Sequence, residues 1–147
     1  MYAVHWVVMV CQDVRQLVTN LVNAWNAHDV DRVANLHAPD YEGVDVGEAV
    51  PRRGTDGTRQ AMRRYLRAFP DLQFVEEATV VDGDRVAWVW RIRGTHLGPI
   101  MHIPPSGHCV EMRCVALLTL ADGKIKQATY VWDVAGFLRA IGLLPEL

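Results

Sequence analysis

Residues 122–142 read DGKIKQATYVWDVAGFLRAIG, and this stretch decides the fold. Asp122-Gly123 suits the positive φ angles that a tight hairpin turn requires. β-Branched and aromatic residues follow (Ile125, Thr129, Tyr130, Val131, Trp132), and the run closes on Asp133. From Val134 the period changes. Val134, Phe137, Leu138 and Ile141 fall at helical spacing, and Gly142 can stop that helix. Asp133 therefore stands where a strand hands over to a helix. There it is either an acid/base group at the end of a sheet or a cap for the orphan amides of the helix. By period two, Thr129 and Val131 share its side of the strand, and Tyr130 and Trp132 point the other way.

Towards the N-terminus, period two persists back to Leu72. It predicts strands over residues 72–81, 85–95, 109–120 and 124–132, separated by Asp82-Gly83-Asp84, a long loop at 96–108, and Asp122-Gly123. Before Phe69-Pro70-Asp71-Leu72 the helical period dominates. A helix capped by Thr55 or Asp56 would bury Met62, Tyr65, Leu66 and Phe69, and Asp29 would cap a shorter one ended by Pro39. Asp13-Val14-Arg15-Gln16 has the form of a capping box ahead of the apolar stripe Val14, Leu17, Val18, Leu21, Val22 and Trp25. Residues 40–51 mix Gly, acids and valines, as a short strand with loops does. Residues 1–12 are an apolar extension, expected as an edge strand or a subunit contact. They lack a basic leader region and are far short of the ~20 residues a membrane span needs.

Helices first, consecutive hairpins next and a closing helix last make an α+β domain over residues 1–147. A curved antiparallel sheet would pack on three N-terminal helices and a short C-terminal one, leaving a cleft between the layers. Half of the 147 residues are apolar and the net charge is −2, so there is no bulk attraction for nucleic acid or an anionic membrane. Arg59, Arg63 and Arg67 recur every four residues and read as one solvated ridge. Cys11, Cys109 and Cys114 lack metal-site pairing, which points to reduced thiols in a cytoplasmic protein. Cys109 and Cys114 would face opposite sides of one strand.

Beyond Asp133, His96 follows strand 85–95 at the expected cleft mouth, where it could donate to an oxyanion or be a plain loop histidine. His96, His102 and His108 fall six apart with Cys109 adjacent, which fits no compact zinc signature, so no metal is expected. Trp88 and Trp90 share a strand face with Val86 and Ile92, as core residues or contacts for a flat ligand. Trp25 and Tyr65 carry the same two readings. Tyr41 could donate a phenolic hydrogen bond into the cleft, and Thr129 completes the expected substrate-facing set.

Several motifs occur in a telling order: Ala68-Phe69-Pro70-Asp71-Leu72, Gly83-Asp84-Arg85-Val86, Gly94-Thr95-His96-Leu97-Gly98, Pro104-Pro105-Ser106-Gly107, and Asp122-Gly123-Lys124-Ile125 through Trp132-Asp133 to Ile141-Gly142. Over residues 14–142 the chain resembles the SnoaL-like polyketide cyclases of the nuclear transport factor 2-like superfamily. The resemblance implies a cone-shaped α+β barrel, a homodimer packed through the sheet, and a small apolar, polycyclic substrate. It also implies intramolecular aldol ring closure by an Asp near the end of the last strand, with no cofactor, and Asp133 is the matching position. The family's histidine partner has no residue-for-residue match, and the Glu and Trp common in its last strand are Gln127 and Thr129 here. Isomerisation, dehydration and epoxide hydrolysis occur on the same scaffold. Arg91-Ile92-Arg93 lacks the Asp of the Arg-x-Asp that the epoxide hydrolases carry. A non-catalytic dimeric binding module is the competing class.

Overall fold

A computed structural model describes residues 2–147, with side chains from Asp13 onward. Four helices and six strands follow in the order α1 (Tyr2–Asn26), α2 (Val30–Asn35), β1 (His37–Asp45), β2 (Arg52–Arg53), α3 (Gly54–Ala68), β3 (Gln73–Asp82), β4 (Arg85–Thr95), β5 (Cys109–Ala121), β6 (Lys124–Trp132) and α4 (Val134–Ala140). The four long strands lie within a residue or two of the predicted spans, because alternation and Gly-containing turns act together there. Asp122 and Gly123 both take positive φ, 53° and 73°, as the hairpin requires.

The sheet runs β2-β1-β6-β5-β4-β3. All neighbours are antiparallel except β1 and β6, which pair in parallel and so join the front of the chain to its last strand. The expected all-antiparallel sheet is thus mixed. Register shifts between Glu76 and Ala78 and between Thr119 and Leu120 bend the strands, and the curved sheet closes over α1 and α3. Val18, Leu21 and Ala24 of α1 and Met62 of α3 are buried with the inward rows Val86-Trp88-Trp90-Ile92 of β4 and Val110-Met112-Cys114-Ala116-Leu118 of β5. Phe137 of α4 completes this core. Trp25 stacks on Phe74 at 4.7 Å, and Trp88 on Trp90 at 3.8 Å.

Three local expectations change. Helix α1 begins at Tyr2, so Asp13 lies inside a helix and caps nothing, and residues 2–12 are helical, not a strand. The apolar run simply continues the helix past the box-like motif. Whether that segment is a subunit contact rests on side chains outside those described, as does Cys11. Helix α3 starts one residue before Thr55, with Arg53 at the cap position and no side-chain cap bond. Helix α2 is capped by Asp29, whose carboxylate accepts the Arg32 N–H at 3.0 Å, but it ends at Asn35, and Pro39 lies within β1.

Candidate active site

The inner faces of the sheet, α1 and α3 enclose a cavity with about 80 Å³ of free space. Trp25, Tyr41, Tyr65, Trp88 and Trp90, singled out from the sequence, all line it. So do His37, Asp45, Arg52, Thr58, Cys114, Tyr130 and Trp132, which the sequence reading did not assign to the site. Alternation in β1 held a signal for one of these: Tyr41, Gly43 and Asp45 alternate, so a strand that turns Tyr41 inward also turns Asp45 inward.

Asp45 is 3% exposed and stands at the end of β1. Its Oδ1 accepts the Gly47 N–H at 2.9 Å; its Oδ2 accepts from Arg52 at 3.0 Å and from the Tyr65 hydroxyl at 3.3 Å. Arg52 also donates to Tyr65 at 2.9 Å and to Glu48 at 3.3 Å, and Arg64 binds Glu48 from outside at 2.6 Å. The two carboxylates and two guanidiniums balance, so the network brings no net charge into the cavity. Burial raises the Tyr65, Tyr41 and Tyr130 hydroxyls above the ordinary tyrosine range and pushes the Cys114 thiol up to about 12. All four keep their protons at neutral pH.

His37 Nδ1 lies 2.8 Å from the Val33 carbonyl. A carbonyl only accepts, so Nδ1 carries the proton and Nε2 keeps its lone pair. Burial lowers the His37 pKa to about 4, and the ring is neutral at pH 7. It meets the Tyr41 ring edge-on at 4.6 Å. The Tyr41 and Tyr130 hydroxyls are 2.8 Å apart. Of the buried side-chain polar atoms without a hydrogen-bond partner among the described residues, Trp88 Nε1, Trp90 Nε1, Arg52 Nε and Thr58 Oγ1 belong to cavity-lining residues, and His96 Nε2 does not.

The structure does not bring Asp133, Thr129 or His96 to this cavity. Asp133 is exposed, and its carboxylate accepts the Gly136 N–H at 2.8 Å as the cap of α4. That helix ends as expected, with Gly142 at φ 82° and its N–H bonded to the Arg139 carbonyl at 3.0 Å. The strand parity predicted for β6 holds, but the inward side is the other one. Ala128, Tyr130 and Trp132 face the core, while Thr129 and Val131 lie on the outer face with Asp133.

His96 is neither exposed nor at a mouth. It is fully buried between Phe69 and Phe137, at ring distances of 5.6 and 5.4 Å. The 96–108 loop folds back so that the His96 N–H meets the His108 carbonyl at 2.9 Å. The Ser106 N–H donates to His96 Nδ1 at 3.2 Å, which leaves the proton on Nε2, and burial lowers the pKa of the ring. His96 thus anchors the loop whose Ile100 lines the cavity. Among the described residues no three His, Cys, Asp or Glu side chains gather as a metal site. No described helix is long and apolar enough to cross a membrane.

The family model of the SnoaL-like polyketide cyclases matches residues 15–141. Aklanonic acid methyl ester cyclase AcmA of Streptomyces galilaeus is 27% identical over 129 residues, 85% of this chain and 88% of that one. Among solved structures, TsrD of Streptomyces laurentii superposes with a TM-score of 0.82 at 28% identity, covering 90% of this chain and 97% of TsrD. AclR of Streptomyces galilaeus, described as a candidate hydroxylase, gives 0.80 at 28% identity, with 94% and 85% covered. A match that begins in α1 and runs through α4 takes in every element that builds the cavity. The chain is a member of the SnoaL-like polyketide cyclase family, on the nuclear transport factor 2-like α+β fold.

Proposed function

We propose that the protein catalyses an intramolecular aldol-type ring closure on a polycyclic, carbonyl-rich substrate of the kind named for AcmA, with Asp45 as the proton carrier in place of Asp133. One observation carries this reading: Asp45 is the one carboxylate among the described residues that line the cavity. Oδ1 accepts a single bond and keeps a lone pair. A methylene flanked by carbonyls is already acidic, so a carboxylate suffices to take its proton. The C–H electron pair becomes the enolate, the enolate carbon attacks the second carbonyl, and Asp45 returns its proton to the new alkoxide. The larger contribution is positioning, worth up to roughly 7–11 kcal/mol when reacting groups are held in line. The buried, unpartnered donors of the lining suit carbonyl oxygens. A free space of about 80 Å³ is smaller than such a ligand, so its entry requires lining groups such as Ile100 to move.

A homodimer through the outer sheet face belongs to the same proposal. Val115, Leu117 and Val131 are exposed there, flanked by the ion pairs of Glu77 and Glu111 with Arg91, Arg93 and Arg113.

The test is ring closure of a polycyclic keto ester, followed chromatographically with wild type, Asp45→Asn and Asp133→Asn. Asp45→Asn should lose about 10²–10⁴-fold in rate, with Asp133→Asn close to wild type. The reverse pattern returns the role to Asp133. Ligand-induced thermal stabilisation without turnover of any such ester would instead mark a binding module.

A further inference from the structure

His37 opens β1 and Asp45 closes it, so the two stand at opposite ends of one strand, and both line the cavity. The His37 ring is fixed twice over. Its Nδ1 N–H donates to the Val33 carbonyl at 2.8 Å, and the ring packs edge-on against Tyr41 at 4.6 Å. With the proton held on Nδ1, Nε2 carries an in-plane lone pair and can only accept. Nε2 has no hydrogen-bond partner among the described residues, and unlike Nε2 of the buried His96 it is not closed off by its surroundings. His37 is 4% exposed and lines the cavity, so the space beside Nε2 is the cavity. The unpaired nitrogens of the wall have the opposite sense: the Trp88 and Trp90 indole N–H groups and Arg52 Nε only donate. A ligand that offered carbonyls alone would satisfy those donors and leave the His37 lone pair buried and unpaired, at a cost. Protonation does not relieve it at neutral pH, since burial lowers the pKa of the ring to about 4. In a carbonyl-rich substrate the groups able to supply the missing proton are enols and phenols.

We infer that His37 is a specificity-determining residue, whose Nε2 accepts a hydrogen bond from a phenolic or enolic hydroxyl at the end of the substrate remote from Asp45. The ligand class is thus a hydroxylated polycyclic ketone, held by its carbonyls at the donors of the wall and by its hydroxyl at His37. The bond orients the substrate and removes no proton. This deepens the ring-closure reading of the cavity and rests on it, but its test needs no turnover.

The probes are 2-naphthol and naphthalene, which share one ring system and differ by a hydroxyl. In fluorescence titrations at pH 7, the preference for 2-naphthol over naphthalene should be about tenfold greater in wild type than in His37→Phe, the worth of one hydrogen bond otherwise left unmade. Nitrogen-15 NMR of the wild type reads the same bond directly. The His37 Nε2 resonance should be of the unprotonated type, move upfield when 2-naphthol is added and stay in place with naphthalene. Should His37→Phe fail to fold, this resonance decides alone. A protonated Nε2, an Nε2 signal indifferent to 2-naphthol, or an equal preference in wild type and His37→Phe overturns the inference. Asp45→Asn keeps the two readings apart: full turnover in that variant removes Asp45 as proton carrier, while the 2-naphthol result is read without turnover and stands or falls by itself.

Discussion

The Tyr41 hydroxyl occupies the space that a side chain on Gly43 would fill. A Cβ built on Gly43 overlaps the Tyr41 Oη and ring. Both residues lie on the inward row of β1, so the strand admits the tyrosine by leaving the next inward position empty. Gly43→Ala should drive the hydroxyl out of reach of Tyr130 and destabilise the fold by about 1–3 kcal/mol, the usual cost of overpacking. Urea unfolding would read this as a lower midpoint with an unchanged slope.

Asp133 is expected to behave as a cap. Asp133→Asn keeps an acceptor for the Gly136 amide and should change stability by only a few tenths of a kcal/mol. Asp133→Ala should lose about 1 kcal/mol, seen as a lower melting temperature.

The buried histidines give the protein an acid-sensitive window. His37 is neutral in the folded state with a pKa of about 4, against 6.5 when exposed. Between those values the unfolded chain binds more protons than the folded one, so stability is complete above pH 6.5 and falls as the pH drops towards 4. For His37 alone the loss reaches about 3 kcal/mol, and His96, shifted the same way, adds to it. Denaturant titrations at several pH values should show this decline, and His37→Gln should flatten it. The paired carboxylates Asp71, Glu77 and Glu111, whose pKa values are lowered by their hydrogen bonds, act lower still, below the ordinary carboxylate range of about 4.

On the outer face of the sheet, Leu117 is 62% exposed and sits opposite Thr129, with Val115 opposite Val131 one pair further along. Leu117→Lys should convert the proposed dimer to monomer in sedimentation experiments while leaving the melting profile of the monomer cooperative. A wild type that sediments as a monomer rules the interface out.

What was legible in the chain follows from how local its causes are. Strands β3 to β6 are hairpin neighbours with alternating side chains, and their limits could be read from turns that lie between them. β1 was obscured because its partners are remote: Pro39, Asp40 and Gly43 are poor strand formers, Gly43 pairs with Arg52 of β2 and Ala128 of β6, and Pro39 and Asp40 fall in the register shift between His37 and Glu42. The same remoteness hid Asp45 and Arg52, whose meeting depends on a turn of acids and valines with no motif. In β6 both rows consist of residues that suit a strand, so period two gave the parity of Thr129 and Tyr130 without deciding which row faces the helices. The Asp133 question depended on that choice. His96 looked exposed because nothing in residues 96–108 shows that the loop returns to seal its own first residue.

The parallel β1–β6 ladder also sets when the site can exist. Tyr41 and Tyr130 are separated by 89 residues of chain, and none of the intervening hairpins needs their contact in order to form. Contacts of such long range are the slowest to close. During synthesis β1 must wait, with one edge unpaired, until β6 has left the ribosome. The part of the molecule proposed to do chemistry is thus the last to be assembled, and a chain stopped before Lys124 would lack Tyr130 and Trp132 from the cavity wall and the strand that pairs with β1.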